Sequence, residues 1–158
     1  MKSRKPLTRD EALLKMASLC ARSEQAPSDI MRKLAAAGLD SADIESVIGE
    51  LTDRKFLDEL RYAIAFSRDK VRFSSWGRLK IRMGLIAKRI PSATIEEAWR
   101  EVDQADYLEA AKKAAASAAK NLDLSRREEA VKLYRHLLSR GFESDLASRI
   151  VKGIRNSD

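Results

Sequence analysis

The sequence predicts an all-α protein, built as a tandem array of three three-helix repeats that together form an elongated, curved body. Three observations support this prediction: a helix-forming composition, apolar residues that recur at a fixed interval, and turn signals between the helical segments. The 158 residues include only six Gly, three Pro and 6% aromatic residues. Ala, Leu, Glu, Lys and Arg dominate instead, and these residues lose little side-chain freedom in a helix.

The repeat becomes visible when three stretches, beginning at Ile30, Ile81 and Leu133, are aligned without gaps. Their offsets of 51 and 52 residues (81 − 30 and 133 − 81) are typical of helical repeat arrays. The apolar positions that coincide are Ile30, Ile81 and Leu133; Leu34, Leu85 and Leu137; Leu39, Ile90 and Phe142; Ile48, Trp99 and Val151; and Leu51, Val102 and Ile154. A single compact bundle with coincidental periodicity is the alternative interpretation.

The first repeat is expected at residues 8–55, after a basic tail at residues 1–7. Thr8 and Glu11 have the spacing of a capping box and predict a first helix over residues 8–22. Gly38 marks the end of the second helix, because helix C-termini favour a residue in the left-handed conformation.

The second repeat is expected at residues 56–103, with a first helix over residues 58–73 and a second from Trp76 to Ile90. Arg89 stands where the first repeat has Gly38, and Pro91 is expected to stop this helix by a different route. At helical spacing, one apolar stripe comprises Trp76, Leu79, Met83, Ile86 and Ile90, and a second comprises Ile81 and Leu85. The second helix is therefore expected to pack against two neighbours.

The third repeat is expected at residues 104–158 and opens with an Ala-rich helix over residues 104–121. Gly141 ends its second helix in the manner of Gly38. Capping-box spacings also occur at Thr94–Glu97 in the second repeat and at Ser125–Glu128 in the third.

The positive charge of the chain is confined to one segment. The net charge is +7, from 31 basic and 24 acidic residues. Residues 68–90 hold eight basic residues and one acidic residue, which leaves 23 of each sign elsewhere (31 − 8 and 24 − 1). A charge-mixed surface would not predict this distribution, so we expect the segment to face an anionic partner.

The basic segment combines a ridge of arginines with interleaved aromatic residues. Arg78, Arg82 and Arg89 run between the two apolar stripes, and Phe73 and Trp76 lie among the upstream cations. Such a combination suits single-stranded nucleic acid, because bases stack on aromatic rings while cations follow the phosphates. The candidate DNA- or partner-binding residues are Arg68, Lys70, Arg72, Trp76, Arg78, Lys80, Arg82, Lys88 and Arg89. A solvated run of charge, with Trp76 in the core, remains the alternative.

A helix-turn-helix that reads DNA is disfavoured by the charges. In each repeat the helix after the turn would be the recognition helix, and it should approach phosphates. Those helices instead carry acidic residues, namely Asp43, Glu45, Glu50, Glu96, Glu97, Glu101, Glu143 and Asp145. The cations lie on the helix before the turn.

The sequence offers little for catalysis or for a cofactor. Cys20 and His136 are the only residues of their types, so a Cys/His zinc site is excluded. A phosphate-binding glycine loop is absent, and the paired acids stand at helix N-termini. We expect a protein that is not an enzyme and needs no cofactor. Without a signal peptide, a membrane span or a possible disulfide, it is expected to be cytoplasmic.

The segment from Phe56 to Ile90 resembles the central motif of the RecX family. The features that carry this resemblance are Phe56–Leu57–Asp58, Arg61–Tyr62–Ala63, the basic stretch Arg68 to Arg72, Gly77 to Ile81, and Arg89–Ile90. The family's final Gly is replaced by Arg89. The N-terminal SDIMRKLAAAGLDSADIESVIGEL and the C-terminal LLSRGFESDLASRIV extend the resemblance over most of the chain.

The resemblance implies tandem three-helix repeats that bind the helical groove of the RecA filament and contact more than one RecA subunit. It also implies that the protein dampens the ATPase, strand-exchange and coprotease activities of RecA. The expected partners are the RecA filament and single-stranded DNA, with double-stranded DNA as a further candidate, and the expected state is a monomer. A sequence-independent DNA-binding protein without a RecA role is the second hypothesis.

Overall fold

The computed structural model describes residues 5–157, which form nine α-helices and no β-strand. The helices are α1 (Arg9–Arg22), α2 (Pro27–Ala36), α3 (Ser41–Asp53), α4 (Glu59–Ser74), α5 (Arg78–Ala87), α6 (Ser92–Trp99), α7 (Gln104–Ala119), α8 (Arg127–Ser139) and α9 (Ser144–Asn156). The prediction of an all-α helical repeat protein is confirmed. None of the helices in this range is long and apolar enough to cross a membrane.

The residues that repeat along the sequence form the core. The nine helices fall into three groups of three, whose second helices are α2, α5 and α8. In these second helices, the equivalent side chains Leu34, Leu85 and Leu137 are completely buried. The turn residues Leu39, Ile90 and Phe142 are buried as well, whereas Ile48 and Ile154 are only partly buried. Burial at these positions follows the 51- and 52-residue offsets, so each group of three helices repeats one packing pattern.

The turns after α2, α5 and α8 have the same backbone geometry. Gly38 and Gly141 have φ values of +93° and +95°, as the sequence predicts. Arg89 has φ +60°, so it adopts the same left-handed conformation as the two glycines. The expectation that this helix ends in a different way from α2 and α8 is therefore wrong. The next residue, Ile90, donates its amide to the Leu85 carbonyl (3.1 Å) and is buried, and this anchor holds a residue other than glycine in the left-handed region.

Of the three capping boxes, one forms. The Thr8 hydroxyl accepts from the Glu11 amide, and the Glu11 carboxylate accepts from the Thr8 amide. Thr94 instead lies inside α6, which begins after Pro91. Ser125 precedes the N-cap of α8, which is Arg126 and makes no side-chain cap. Spacing alone therefore located the start of α1 but not those of α6 and α8.

Two hydrophobic cores lie along the chain. One is formed by α1, α2 and α3, and the other is continuous through α4 to α9, where α4 packs against α7. The accessible surface is 10,285 Å², whereas a compact protein of 17.8 kDa would expose about 8,000 Å². The separate cores and the large surface favour an elongated array over a single compact bundle. The predicted curvature and the repeat boundaries at 8–55, 56–103 and 104–158 stay predictions.

The predicted basic tail, residues 1–7, lies in part outside the described residues. Its last two residues contact the turn after α2. The Leu7 amide donates to the Ala37 carbonyl (3.2 Å), and a Cβ atom at Gly38 would lie 2.9 Å from the Pro6 side chain. The turn after α2 is therefore covered by the chain itself.

Candidate interface on the central helices

The basic segment spans the second half of α4, the following loop and α5. Asp58 starts α4 as its N-cap by accepting from the Arg61 amide (2.9 Å). Ser75 ends α4 with φ +50°, and the Trp76 amide then donates to the Lys70 carbonyl (3.0 Å). This reversal places α5 against α4, so the basic side chains of the segment lie on two adjoining helices.

Five of the eight basic side chains contact acidic side chains from other parts of the chain. Arg78 and Arg82 share Glu96, at 2.5 and 3.5 Å. The other pairs are Arg68 with Glu101 (3.9 Å), Arg72 with Asp106 (3.7 Å) and Lys88 with Asp29 (2.9 Å). The ridge expected from the sequence is therefore partly neutralised within the fold. Sequence reasoning noted the acids of α6 but did not place them against these arginines.

Lys70 and Lys80 contact an aromatic ring rather than a carboxylate. Their ammonium groups lie 4.5 and 4.6 Å from the centroid of the Trp76 ring, within cation–π range. Trp76 is half-buried and meets Phe66 edge-on, with centroids 6.3 Å apart. Trp76 thus packs at the edge of the core, and a nucleic-acid base would have to displace a lysine to stack on its ring.

Arg89 lies beyond the end of α5 and is separated from the other two ridge arginines. The helix stops at Ala87, and Arg89 is exposed in the left-handed turn. Within residues 5–157 it has no carboxylate within 4.0 Å, and the same holds for Lys70 and Lys80. These three cations are the members of the segment whose charge is not offset by a contact in the described part of the fold.

The outward side of α5 is apolar and uncovered, which corrects a sequence prediction. Leu79, Met83 and Ile86 are 51%, 71% and 50% exposed. Within α5 itself the buried residues are Ile81 and Leu85, and Ile90 of the other stripe is buried only in the turn beyond the helix, so α5 packs through one face and not two. The periodicity correctly identified two apolar stripes, but it carries no information on whether a neighbouring helix covers each one.

The N-terminus of α5 is held by the turn after α8. The Gly77 amide donates to the Arg140 carbonyl (2.8 Å), and the Leu79 amide donates to the Gly141 carbonyl (3.0 Å). A Cβ atom at Gly77 would lie 2.1 Å from the carbonyl carbon of Gly141, so the two backbones touch directly. The Arg140 guanidinium also donates to the Ser74 carbonyl.

A buried tyrosine completes this joint. The Tyr107 hydroxyl accepts from the Arg78 amide (2.9 Å) and donates to Glu143 Oε1 (2.7 Å). Burial raises the pKa of Tyr107, so the hydroxyl stays protonated and can serve both partners. Sequence reasoning missed Tyr107 and Arg140, and it counted Glu143 only among the acidic residues of the third repeat. Gly77 and Gly141 could be recognised in the sequence as turn residues, but nothing in the sequence showed that these two glycines contact each other.

Comparison with known proteins gives consistent matches along the chain. Residues 58–98 match the second three-helix domain of RecX, and residues 105–151 match the third. The regulatory protein RecX of Vibrio parahaemolyticus is 35% identical over 130 residues, which are 82% of this chain and 83% of that protein. The regulatory protein RecX of Prosthecochloris aestuarii is 34% identical over 122 residues, covering 77% of this chain and 78% of that protein.

The solved structures agree in fold. The crystal structure of RecX from Lactobacillus salivarius superposes with a TM-score of 0.80, covering 92% of this chain and 95% of that one at 20% sequence identity. Another crystal structure of regulatory protein RecX gives a TM-score of 0.78 over 90% of this chain and 72% of that one. The shared fold, the two matched domains and the relatives above 30% identity show that the chain belongs to the RecX family.

Proposed function

We propose that this protein binds RecA–DNA filaments and dampens the ATP hydrolysis, strand exchange and coprotease activity of RecA. It acts by binding rather than by catalysis, as a cytoplasmic monomer. The observation that carries the proposal is the confinement of the whole positive excess to residues 68–90, in the middle of an elongated array. The relatives named regulatory protein RecX support the regulatory role.

The ion pairs of the basic segment can exchange partners at low cost. Arg78, Arg82 and Glu96 are each more than one-third exposed, and exposed pairs contribute only about 0–1 kcal/mol. A phosphate of the filament DNA, or a carboxylate on RecA, can therefore replace Glu96. Lys70, Lys80 and Arg89 are available without breaking an ion pair, so they are proposed to make the first contacts.

Binding to preassembled RecA filaments, compared with naked single-stranded DNA over a salt series, tests this proposal. The RecA role predicts filament binding that persists at salt concentrations where binding to naked DNA is lost. The alternative, a sequence-independent DNA-binding protein, predicts tight and steeply salt-dependent binding to DNA alone. Equal affinity for coated and naked strands at every salt concentration would contradict the RecA role.

The contribution of the unpaired cations is tested with a double substitution and a matched control. We expect Lys70→Gln with Lys80→Gln to weaken filament binding about tenfold, since two cationic contacts are removed. Lys112→Gln with Lys113→Gln removes the same charge from exposed positions on α7 and is expected to change affinity less than twofold. Equal effects of the two double variants would show that only the net charge matters.

Glu96→Gln offers a test in the opposite direction. It is a cleaner test than substituting Glu for Arg78 and Arg82, because that substitution would place three acids together and would disturb the contact between α5 and α6. Glu96→Gln keeps the side-chain shape but frees both guanidinium groups. It should therefore tighten filament binding two- to fivefold and steepen its salt dependence. Unchanged binding would show that Arg78 and Arg82 are only solvated surface.

A further inference from the structure

The first three helices meet the rest of the chain at a joint that shares no hydrophobic core, here called joint 1. Within residues 5–157, none of the closely packed helix pairs links α1, α2 or α3 to a helix of α4–α9. Leu57 belongs to the core of α1–α3, whereas Leu60 packs against the core of α4–α9. The boundary between the two cores therefore falls at Asp58, the N-cap of α4.

Polar contacts cross joint 1 at two points. At the first, Glu24 accepts a hydrogen bond from Arg61 in the first turn of α4 (2.5 Å). At the second, the Lys88 ammonium donates to Asp29 (2.9 Å), and the Lys88 carbonyl accepts from the Ser28 hydroxyl (2.7 Å). The side chains of Glu24, Arg61 and Lys88 are 30–42% exposed. Ion pairs with this exposure are weak, and salt screens them.

The carboxylate of Glu24 is satisfied on only one side while joint 1 is closed. Its Oε1 atom pairs with Arg61, whereas its Oε2 atom is buried and accepts no hydrogen bond from residues 5–157. A buried carboxylate oxygen without a donor carries a desolvation cost, and opening of the joint would return this oxygen to water. The closed joint is therefore held by weak contacts and opposed by this cost.

An open cleft lies beside each of the two contact points. One cleft, of about 890 Å³, separates α2 and α3 from the end of α5, with Asp29 and Lys88 in its lining. The other, of about 530 Å³, lies between the end of α1 and α4, with Glu24 and Tyr62 in its lining. A rotation about Asp58 would change the width of both clefts and leave both hydrophobic cores intact.

The joint between α4–α6 and α7–α9, joint 2, is built differently. A single core runs through it, and α4 packs against α7. The backbones of Gly77 and Gly141 touch, and the buried Tyr107 hydroxyl accepts from the Arg78 amide (2.9 Å). Movement at joint 2 would expose apolar side chains and unpair buried polar groups, so this joint is expected to be rigid.

We propose that joint 1 is a hinge about which α1–α3 swing as one body against α4–α9, and that the Glu24–Arg61 and Asp29–Lys88 ion pairs latch it. The array then consists of a movable body of three helices and a fixed body of six. The angle between them depends on ionic strength and on any anion that competes for Arg61 or Lys88. This motion is independent of the partner that the protein binds.

Pulsed electron paramagnetic resonance on pairs of spin labels measures the motion in the full chain. Every labelled protein carries Cys20→Ser, which removes the only native thiol. Lys15→Cys with Glu97→Cys places the two labels across joint 1, and Glu97→Cys with Arg135→Cys places them across joint 2. The three labelled positions are exposed and lie on α1, α6 and α8. Circular dichroism checks the helix content of each protein.

We expect the distance distribution across joint 1 to be about twice as broad as that across joint 2. Glu24→Gln with Asp29→Asn, or about 1 M NaCl, should broaden the distribution across joint 1 further, because each weakens the latch. The control Glu129→Gln removes an ion pair inside α8 and should change neither distribution. Equal widths at the two joints would overturn the inference. It would also be overturned if neither the latch variant nor salt changed the distribution across joint 1.

Discussion

The contact between Gly77 and Gly141 makes Gly77→Ala a severe substitution. Gly77 has φ −80° and ψ 165°, which alanine adopts without strain, so any effect must come from the new methyl group. That methyl would lie 2.1 Å from Gly141 C, 2.2 Å from Phe142 N and 2.4 Å from Gly141 O. All three are backbone atoms, and they cannot rotate away as a flexible side chain can.

The cost follows from the movement that alanine requires. Relieving these contacts separates the two backbones by about 1 Å, which breaks the hydrogen bonds from the Gly77 and Leu79 amides. Each buried group left unpaired costs about 1–3 kcal/mol, and alanine recovers about 0.4–1 kcal/mol by restricting the unfolded chain. We therefore expect the free energy of unfolding to fall by about 2–4 kcal/mol, which lowers the Tm by about 5–15 °C.

Urea unfolding followed by far-UV circular dichroism measures this loss. The matched control is Gly49→Ala, since Gly49 is exposed inside α3 and a Cβ there would meet no atom within 4 Å. Alanine is the better helix former, so this control should gain up to about 1 kcal/mol. If Gly77→Ala unfolds at the same urea concentration as wild type or as Gly49→Ala, the direct contact of the two backbones is refuted.

Three further predictions follow from particular side chains. Tyr107→Phe leaves the Arg78 amide and the Glu143 carboxylate without their partner, so the free energy of unfolding should fall by about 2 kcal/mol. Burial raises the pKa of Tyr107 above its usual value of 10.0, so the unfolded chain loses this proton first and the wild type should lose stability as the pH rises through about 10. Urea titrations from pH 8 to 10.5 should show a smaller loss of stability in the variant than in the wild type. Parallel curves for the two proteins would contradict this. Arg89→Gly should raise the free energy of unfolding by about 0.5–1 kcal/mol, since glycine adopts the left-handed conformation without strain, while weakening filament binding; lower stability would contradict the account of this turn. Burial also raises the pKa of the half-buried Cys20 thiol, so iodoacetamide at pH 8 should modify native protein at least about tenfold more slowly than urea-unfolded protein; equal rates would show that the thiol is freely accessible.

The helices and the core were predictable because helical packing follows local periodicity. Leu34, Leu85 and Leu137 repeat at offsets that match the repeat length, and all three are buried. Gly38 and Gly141 marked two helix ends because a left-handed turn favours glycine. The third such turn could not be recognised from the sequence, because Arg89 stands there in place of glycine. Burial of Ile90 outweighs the local cost of about 1–2 kcal/mol for a residue other than glycine in this conformation.

The charged surface could be predicted only in part, since ion pairs between helices depend on the tertiary arrangement. The sequence located the cations of residues 68–90, but Arg68 and its partner Glu101 are 33 residues apart. Likewise, the pattern showed that Leu79 and Met83 share a stripe, but not that this stripe faces solvent. The separation between a covered and an uncovered apolar face appears only once the neighbouring helices are in place.

The rate of single-strand-dependent ATP hydrolysis by RecA, titrated with this protein, distinguishes regulation of the filament from competition for DNA. We expect inhibition at ratios well below one copy per RecA, because one elongated molecule is proposed to contact the filament at more than one subunit. Inhibition that begins only when the protein is abundant enough to coat the free DNA would contradict it. That result would mean competition for the strand, and the protein would then be a DNA-binding protein without a RecA-specific role.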